Sequence, residues 1–203
     1  MSVDIFVARH GQSEDNVNRI IGGHRDMPLT DLGRKQANDL AEAILDLGLT
    51  FDAVYCSPLK RAHETADIVS KIAHLPQPKI KQNLIERDCG ELTGQPVSVI
   101  ETLPPESVVK TGEITYFLDP AGGETFNQAI ERAHGVINEI NESHIEGRVL
   151  LVCHGDTGKM IYAASMNKGW REALTDFHFG NAELIDLSGN GDVHLIKFEQ
   201  FNH

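Results

Sequence analysis

Arg9-His10-Gly11, Arg61, Glu86-Arg87 and His154-Gly155 are the groups whose types and placement could do chemistry together. A guanidinium offers a planar fork of donors that matches phosphate oxygens. An imidazole can act as nucleophile, acid/base or simple donor. A glycine after a strand lets backbone approach a ligand closely, because no Cβ stands in the way. Backbone N–H groups beyond a strand end, with a helical turn after them, favour an anion. Arg9-His10-Gly11 alone is weak evidence, since average composition gives such a tripeptide in on the order of one chain per hundred. A strand-end loop with a solvated Arg and His competes with an anion site for these residues. The elements around them must decide.

Each group follows a segment patterned as a strand. Ile5 to Ala8 is a short apolar run suited to burial on both faces. Asn16 to Pro28 reads as irregular, and Gly22-Gly23-His24-Arg25 either adds donors and cations to the site or is an ordinary turn. Thr30 caps a helix with Ala37, Leu40, Ala41 and Ile44 on one face, closed by Gly48. Phe51 to Cys56 is a strand. Ser57-Pro58 then opens a helix as cap and first residue, with an apolar stripe of Leu59, Ala62, Ala66, Val69 and Ala73. Arg61 and His63 fall in its first turn, where a cation opposes the helix dipole. Such a local misfit often marks function.

Ile80 to Ile85 is expected as a strand that delivers Glu86. Residues 91–123 lose periodicity and collect Pro and Gly, as an inserted lid does. Thr125 caps another helix, and Arg148 to Cys153 is the most apolar strand. A helix with Met160, Ile161 and Ala164 follows, and the strands 182–187 and 193–198 form a hairpin around Gly189-Asn190-Gly191. Alternating strands and helices predict an α/β fold: a three-layer sandwich with a mostly parallel central sheet, helices on both faces and an inserted lid at about 87–123. We expect a single domain over 1–203. Ligands in such sheets bind at the carboxyl ends of the strands, where Arg9, His10, Arg61, Glu86 and His154 should converge.

Composition narrows the partners. A net charge of −12 argues against nucleic acid or an anionic membrane as partner, so an anion site must be a local cationic pocket. No apolar run approaches the roughly 20 residues that span a bilayer, and the N-terminus lacks the pattern of a signal peptide. Cys56, Cys89 and Cys153 are odd in number and far apart. That spacing fits a reducing, cytoplasmic compartment and offers no zinc cluster.

These segments together resemble the histidine phosphatase superfamily, which includes the cofactor-dependent phosphoglycerate mutases. Arg9-His10-Gly11 is similar to its name-giving motif, and Ser57-Pro58-Leu59-Lys60-Arg61-Ala62 to its second-arginine motif. Leu84-Ile85-Glu86-Arg87 with Gly90 resembles the segment of its catalytic acid, Val152-Cys153-His154-Gly155 its second histidine, and Gly122-Gly123-Glu124-Thr125 with Arg132 a feature of many members. The resemblance implies that His10 attacks phosphorus while Arg9, Arg61 and His154 hold the equatorial oxygens. Glu86 would protonate the leaving oxygen and then activate water, with Asp156 as a rival acid that is better read as a helix cap. It also places Gly11, Gln12, Ser13, Asn16, Gly23, Arg87 and Gly155 around the substrate. No metal and no cofactor is expected, and oligomeric state is not legible.

Departures from the mutase pattern favour hydrolysis. Cys89 stands where mutases carry a Tyr, and their basic segment is replaced by Glu91, Glu101, Glu106, Glu113 and Asp119 with only Lys110. We therefore expect a phosphatase acting on a small phosphorylated metabolite, with a mutase or an idle phosphate-binding module as alternatives. The acidic insert predicts a neutral or amine-bearing leaving group.

Overall fold

The computed structural model describes residues 3–112, 114–188 and, as backbone, 194–196. In chain order, β1 (Val3–Arg9) leads through a one-turn helix α1 (Glu14–Val17) to α2 (Asp31–Asp46). β2 (Ala53–Cys56), α3 (Lys60–Ile72) and β3 (Lys79–Ile80) follow, then a small hairpin of β4 (Val108–Lys110) and β5 (Thr115–Phe117). The second half holds α4 (Phe126–Ser143), β6 (Gly147–Cys153), α5 (Gly155–Ser165), α6 (Trp170–Asp176), β7 (Leu184–Asp186) and β8 (His194–Ile196).

The main sheet runs β3-β2-β6-β1-β7-β8. β1, β2, β3 and β6 pair in parallel, while β7 and β8 run antiparallel at one side. Side chains alternate between two cores, as the pleat requires. Phe6, Ala8, Leu150 and Val152 pack with Leu40 and Ile44 of α2 and Ala66 and Val69 of α3. Ile5, Val7, Val149 and Leu151 pack on the other face with α4, α5 and α6. Each fully buried Leu or Ile contributes about 1.5–3 kcal/mol.

Register fixes the site. Arg9 is paired with Cys153 and Cys56 with Val152, so the residues after them, His10, His154 and Ser57, leave the sheet at one edge. The loop after β1 lies hard against the start of α2. A Cβ on Gly11 would fall 2.3 Å from the Gly33 carbonyl oxygen, so the glycine serves backbone against backbone rather than backbone against ligand.

Local expectations differ at several points. Thr30 and Thr125 cap their helices, each accepting an N–H three residues on. Ser57 is not a cap: α3 begins at Lys60, and its cap position, Leu59, has no side-chain bond. The strand expected over Ile80–Ile85 ends at Ile80, because the chain turns inward at Gln82–Leu84 to bury Leu84 beside α4. Residues 91–123 are not featureless; short 3-10 turns and the β4–β5 hairpin enclose Ile100 and Phe117 against Ile21 and Cys89. β7 and β8 pair as a hairpin predicts, while the Gly189-Asn190-Gly191 turn and Glu113 lie outside the described residues.

Candidate active site

His10 sits at the mouth of β1 with 3% of its surface exposed. Its Nδ1 lies 2.6 Å from the Gly11 carbonyl oxygen, which can only accept, so Nδ1 carries the proton. Its Nε2 lies 3.2 Å from Arg61 Nε, which can only donate. The two contacts fix one tautomer and leave the lone pair on Nε2. Burial first, then Arg61 and Arg9, push the His10 pKa well below the usual histidine value, so the ring is neutral. The His10 carbonyl is itself held by Ala182 N and Asn181 Nδ2, at 3.2 and 3.0 Å.

Arg61 is buried at the start of α3, and its guanidinium is aimed by backbone oxygens. Nη1 donates to Arg25 O at 2.6 Å and Nη2 to Gly23 O at 3.0 Å. The irregular 22–25 segment thus positions the arginine through carbonyls. The side chains of that segment are spent elsewhere: His24 Nε2 meets Glu86 O at 2.8 Å, and Arg25 pairs with buried Asp15 at 3.1 Å. Thr65, one helical turn after Arg61, donates to the Arg61 carbonyl and accepts from Gly11 N, tying α3 to the loop.

His154 is fully buried, its ring centroid 5.1 Å from that of His10. Ser57 Oγ lies 2.7 Å from its Nε2, while Nδ1 has no partner. Burial, with Arg61, His10 and Arg9 beside it, lowers the His154 pKa well below the usual value. Arg9 donates from Nη1 to Phe179 O at 2.5 Å, and its buried Nε is unpaired. Unpaired buried donors are rare and call for a ligand or a reason.

Glu86 is presented at the N-terminus of α5. Its Oε1 accepts from Arg87 N at 2.8 Å, Thr157 N at 3.0 Å and Thr157 Oγ1 at 3.1 Å, and Oε2 from Asp156 N at 3.4 Å. Behind it, Arg132 of α4 holds the carbonyls of Asn83 and Ile85 and forms a two-pronged pair with Glu124 at 2.7 and 2.8 Å.

Several expectations need correcting here. Arg87, expected at the substrate, lines the cleft, yet it is buried at 1% with its guanidinium bonded to Asp156, Glu124 O and Phe117 O and sandwiched between the rings of Phe117 and Phe126. It braces the 117–124 segment. Asp156 is the second residue of α5, not its cap, and is paired with Arg87 at 2.7 Å. The loop after β1 is no anion nest either. Its N–H groups are satisfied in turn by Cys153 O, Thr65 Oγ1, Gln36 Oε1 and Asn16 Oδ1. Ser13 and Asn16 are occupied with each other as the capping box of α1, and the Gln12 side chain accepts from Thr30 Oγ1. Gly23 and Gly155 do line the cleft.

The model of the histidine phosphatase superfamily (branch 1) matches residues 5–199. The chain belongs to this superfamily. Phosphoglycerate mutase-like protein 4 of Arabidopsis thaliana is 32% identical over 96% of this chain and 87% of its own. A 2,3-bisphosphoglycerate-dependent phosphoglycerate mutase of Parvibaculum lavamentivorans is 35% identical over 75% of each chain. Among solved structures, a mycobacterial glucosyl-3-phosphoglycerate phosphatase superposes with a TM-score of 0.78 at 25% identity, over 95% of this chain and 96% of that one. Phosphatases and mutase-like proteins are therefore both among its relatives.

In this member of the superfamily the strand-end edge adjoins a cleft of about 1070 Å³. Arg9, Gly23, Glu86 and Gly155 line it; behind them lie Arg61, bonded to the Gly23 carbonyl, and His10 and His154, the chain neighbours of Arg9 and Gly155. Of the described insert acids only Glu101 lines it; Glu91, Glu106 and Asp119 face solvent. Arg19 and Lys110 line it as well, so the acidic-lining argument for an amine-bearing leaving group loses its support. Sequence reasoning also missed Thr65, Thr157, Asn181 and the contact of Ser57 with His154. Ser57 follows a strand directly, as His10 and His154 do, and that was the available signal.

Proposed function

We propose that the protein is a metal-independent phosphomonoesterase that works through a phosphohistidine. The observation that carries this reading is the fixed tautomer of His10, whose Nε2 lone pair lies among Arg61, Arg9 and His154. In the first step Nε2 attacks phosphorus in line, the N–P bond forms and the P–O bond to the alcohol breaks. Glu86 gives its proton to the departing oxygen. In the second step Glu86 takes a proton from water, the water oxygen attacks phosphorus, and the N–P electron pair returns to His10. Arg9, Arg61 and His154 stabilise the charge on the three equatorial oxygens. The positive charge that a metal would otherwise bring comes from the two guanidiniums. We read residues 87–123 as a cover over the cleft within a single domain. The three cysteines are all free and buried, which fits our placement in a reducing cytoplasm. No helix among the described residues is long and apolar enough to cross a membrane.

A mutase is the second reading, favoured by the mutase named among the relatives. The two differ in the fate of the phosphohistidine, which water takes in one and a second acceptor in the other. Phosphate release and 2-phosphoglycerate formation from 3-phosphoglycerate with its bisphosphate, measured side by side, separate them. We expect phosphate release. His10→Ala should abolish turnover and labelling of the protein by a ³²P-ester, whereas His154→Ala should keep slow turnover. Labelling at a histidine in His10→Ala would overturn the assignment. An idle binding module would release no phosphate from p-nitrophenyl phosphate.

A further inference from the structure

The cleft is larger than a phosphoryl group and a short polar metabolite require. Its volume of about 1070 Å³ lies at the top of the roughly 300–1,000 Å³ range of sites that enclose drug-sized ligands. Its lining includes an apolar set, Ile21, Val97, Leu103, Val108, Ile114 and Phe117, five of them from the insert. Val97, Leu103, Val108 and Ile114 are only half-buried. Scattered surface hydrophobes are ordinary, whereas a contiguous concave set is not. The wall is also preformed. Ile21, Cys89, Ile100 and Phe117 make a buried cluster of their own, against which Val97, Leu103 and Val108 pack.

We propose that this wall is the subsite for the alcohol part of the substrate, and that the substrate class is a phosphate monoester of an extended, largely apolar alcohol. The proposal rests on the phosphatase reading of the catalytic edge. The wall shares one cleft with Arg9, Gly23, Glu86 and Gly155, the neighbours of His10, Arg61 and His154, so an ester whose phosphoryl group reaches that edge has the wall beside its alcohol. A sugar or a short hydroxy acid would set hydroxyls or a carboxylate against aliphatic side chains that offer them no hydrogen bonds. Of the charged groups on the lining, Arg19, Glu101 and Lys110 are exposed and remain hydrated, while Arg87 is paired with Asp156 and Lys159 donates to the carbonyls of Ala173 and Leu174.

The test is a series of n-alkyl phosphates, ethyl, butyl, hexyl and octyl, each below its micellar concentration. Their leaving-group basicity is nearly constant, so differences report binding of the chain. kcat/KM should rise about twofold to fourfold per added methylene. Leu103→Asp and Val108→Asp should flatten that rise, and Leu103→Ala, a milder change, should lower it less. A flat or falling series in the wild type, or phosphoserine or 3-phosphoglycerate outrunning octyl phosphate, would overturn the subsite alone. Absence of phosphate release from every ester, with no labelling of His10, would overturn the catalytic reading and this proposal with it.

Discussion

At the residue scale, a hydrogen bond on each side of the His10 ring leaves it neutral with the lone pair on Nε2, as the proposed nucleophile requires. The consequence is a pH prediction. His10 must be unprotonated to attack, and its pKa is lowered by burial, Arg61 and Arg9. The acid limb of kcat/KM, corrected for ionisation of the substrate, should therefore fall below the ordinary histidine value of about 6.5. A limb at 6.5 or above would reject the assignment. Ser57 holds His154 by one nitrogen, its Oγ 2.7 Å from Nε2, and so sets the orientation of the ring. We treat Ser57 as a positioning residue. Ser57→Ala should lower kcat and vanadate affinity about tenfold, in line with about 1–3 kcal/mol for an unmade buried hydrogen bond. A purely structural role would instead lower the thermal midpoint and leave vanadate affinity intact.

At the element scale, the acid is placed by two helices at once. The N-terminus of α5 supplies the donors that hold the Glu86 carboxylate, and Arg132 of α4 fixes the backbone just before it. Arg132 and Glu124 are mostly buried, at 17% and 16% side-chain exposure, so their pair is not a solvent-screened one. A cycle of Arg132→Met and Glu124→Gln should show coupling of roughly 0.5–3 kcal/mol in stability. Arg132→Met should also slow alkyl phosphates more than aryl phosphates, because only the former depend on a well-placed acid. Glu86→Gln should show the same selectivity more strongly, by about two to four orders of magnitude on alkyl esters. Equal losses on both ester types, or a larger loss in Asp156→Asn, would move the role away from Glu86.

At the scale of the whole molecule, a chain of net charge −12 gathers two arginines at one sheet edge. In the proposed mechanism those guanidiniums stand in for metal charge, so activity should survive exhaustive chelation; loss restored by added metal would count against the mechanism. Holding two histidines neutral also has a stability cost. Above about pH 6.5 both rings are neutral folded and unfolded, and nothing is lost. As pH falls below 6.5 the unfolded chain binds protons that folded His10 and His154 refuse, so stability declines. Urea unfolding should show a loss of stability between pH 6.5 and 5.5 from this pair, with a ceiling of about 2 kcal/mol set by protonation of the two unfolded rings. A His10→Asn, His154→Asn double variant should lose less over the same interval.

The sequence by itself determined the layered α/β plan, the strand-end positions of Arg9, His10 and His154 and the place of Arg61 in the first turn of its helix; the strand it suggested before Glu86 did not form. The plan and those positions follow from local rules: apolar period, caps such as Thr30 and Thr125, and the tendency of parallel strands to present ligand sites at one edge. Tertiary structure alone decided what each polar group bonds to. Arg87 reads as a phosphate ligand in one dimension, and it is drawn inward because Phe117, Phe126 and Asp156 close around it from three distant segments. Ser57 reads as a cap, yet the register of β2 against β6 carries it to His154. The insert acids read as a pocket lining, but a charge faces water unless a partner holds it, and the turns of 91–123 put Val97, Leu103 and Val108 on the cleft instead. No local period encodes those choices, because each depends on contacts between residues tens of positions apart.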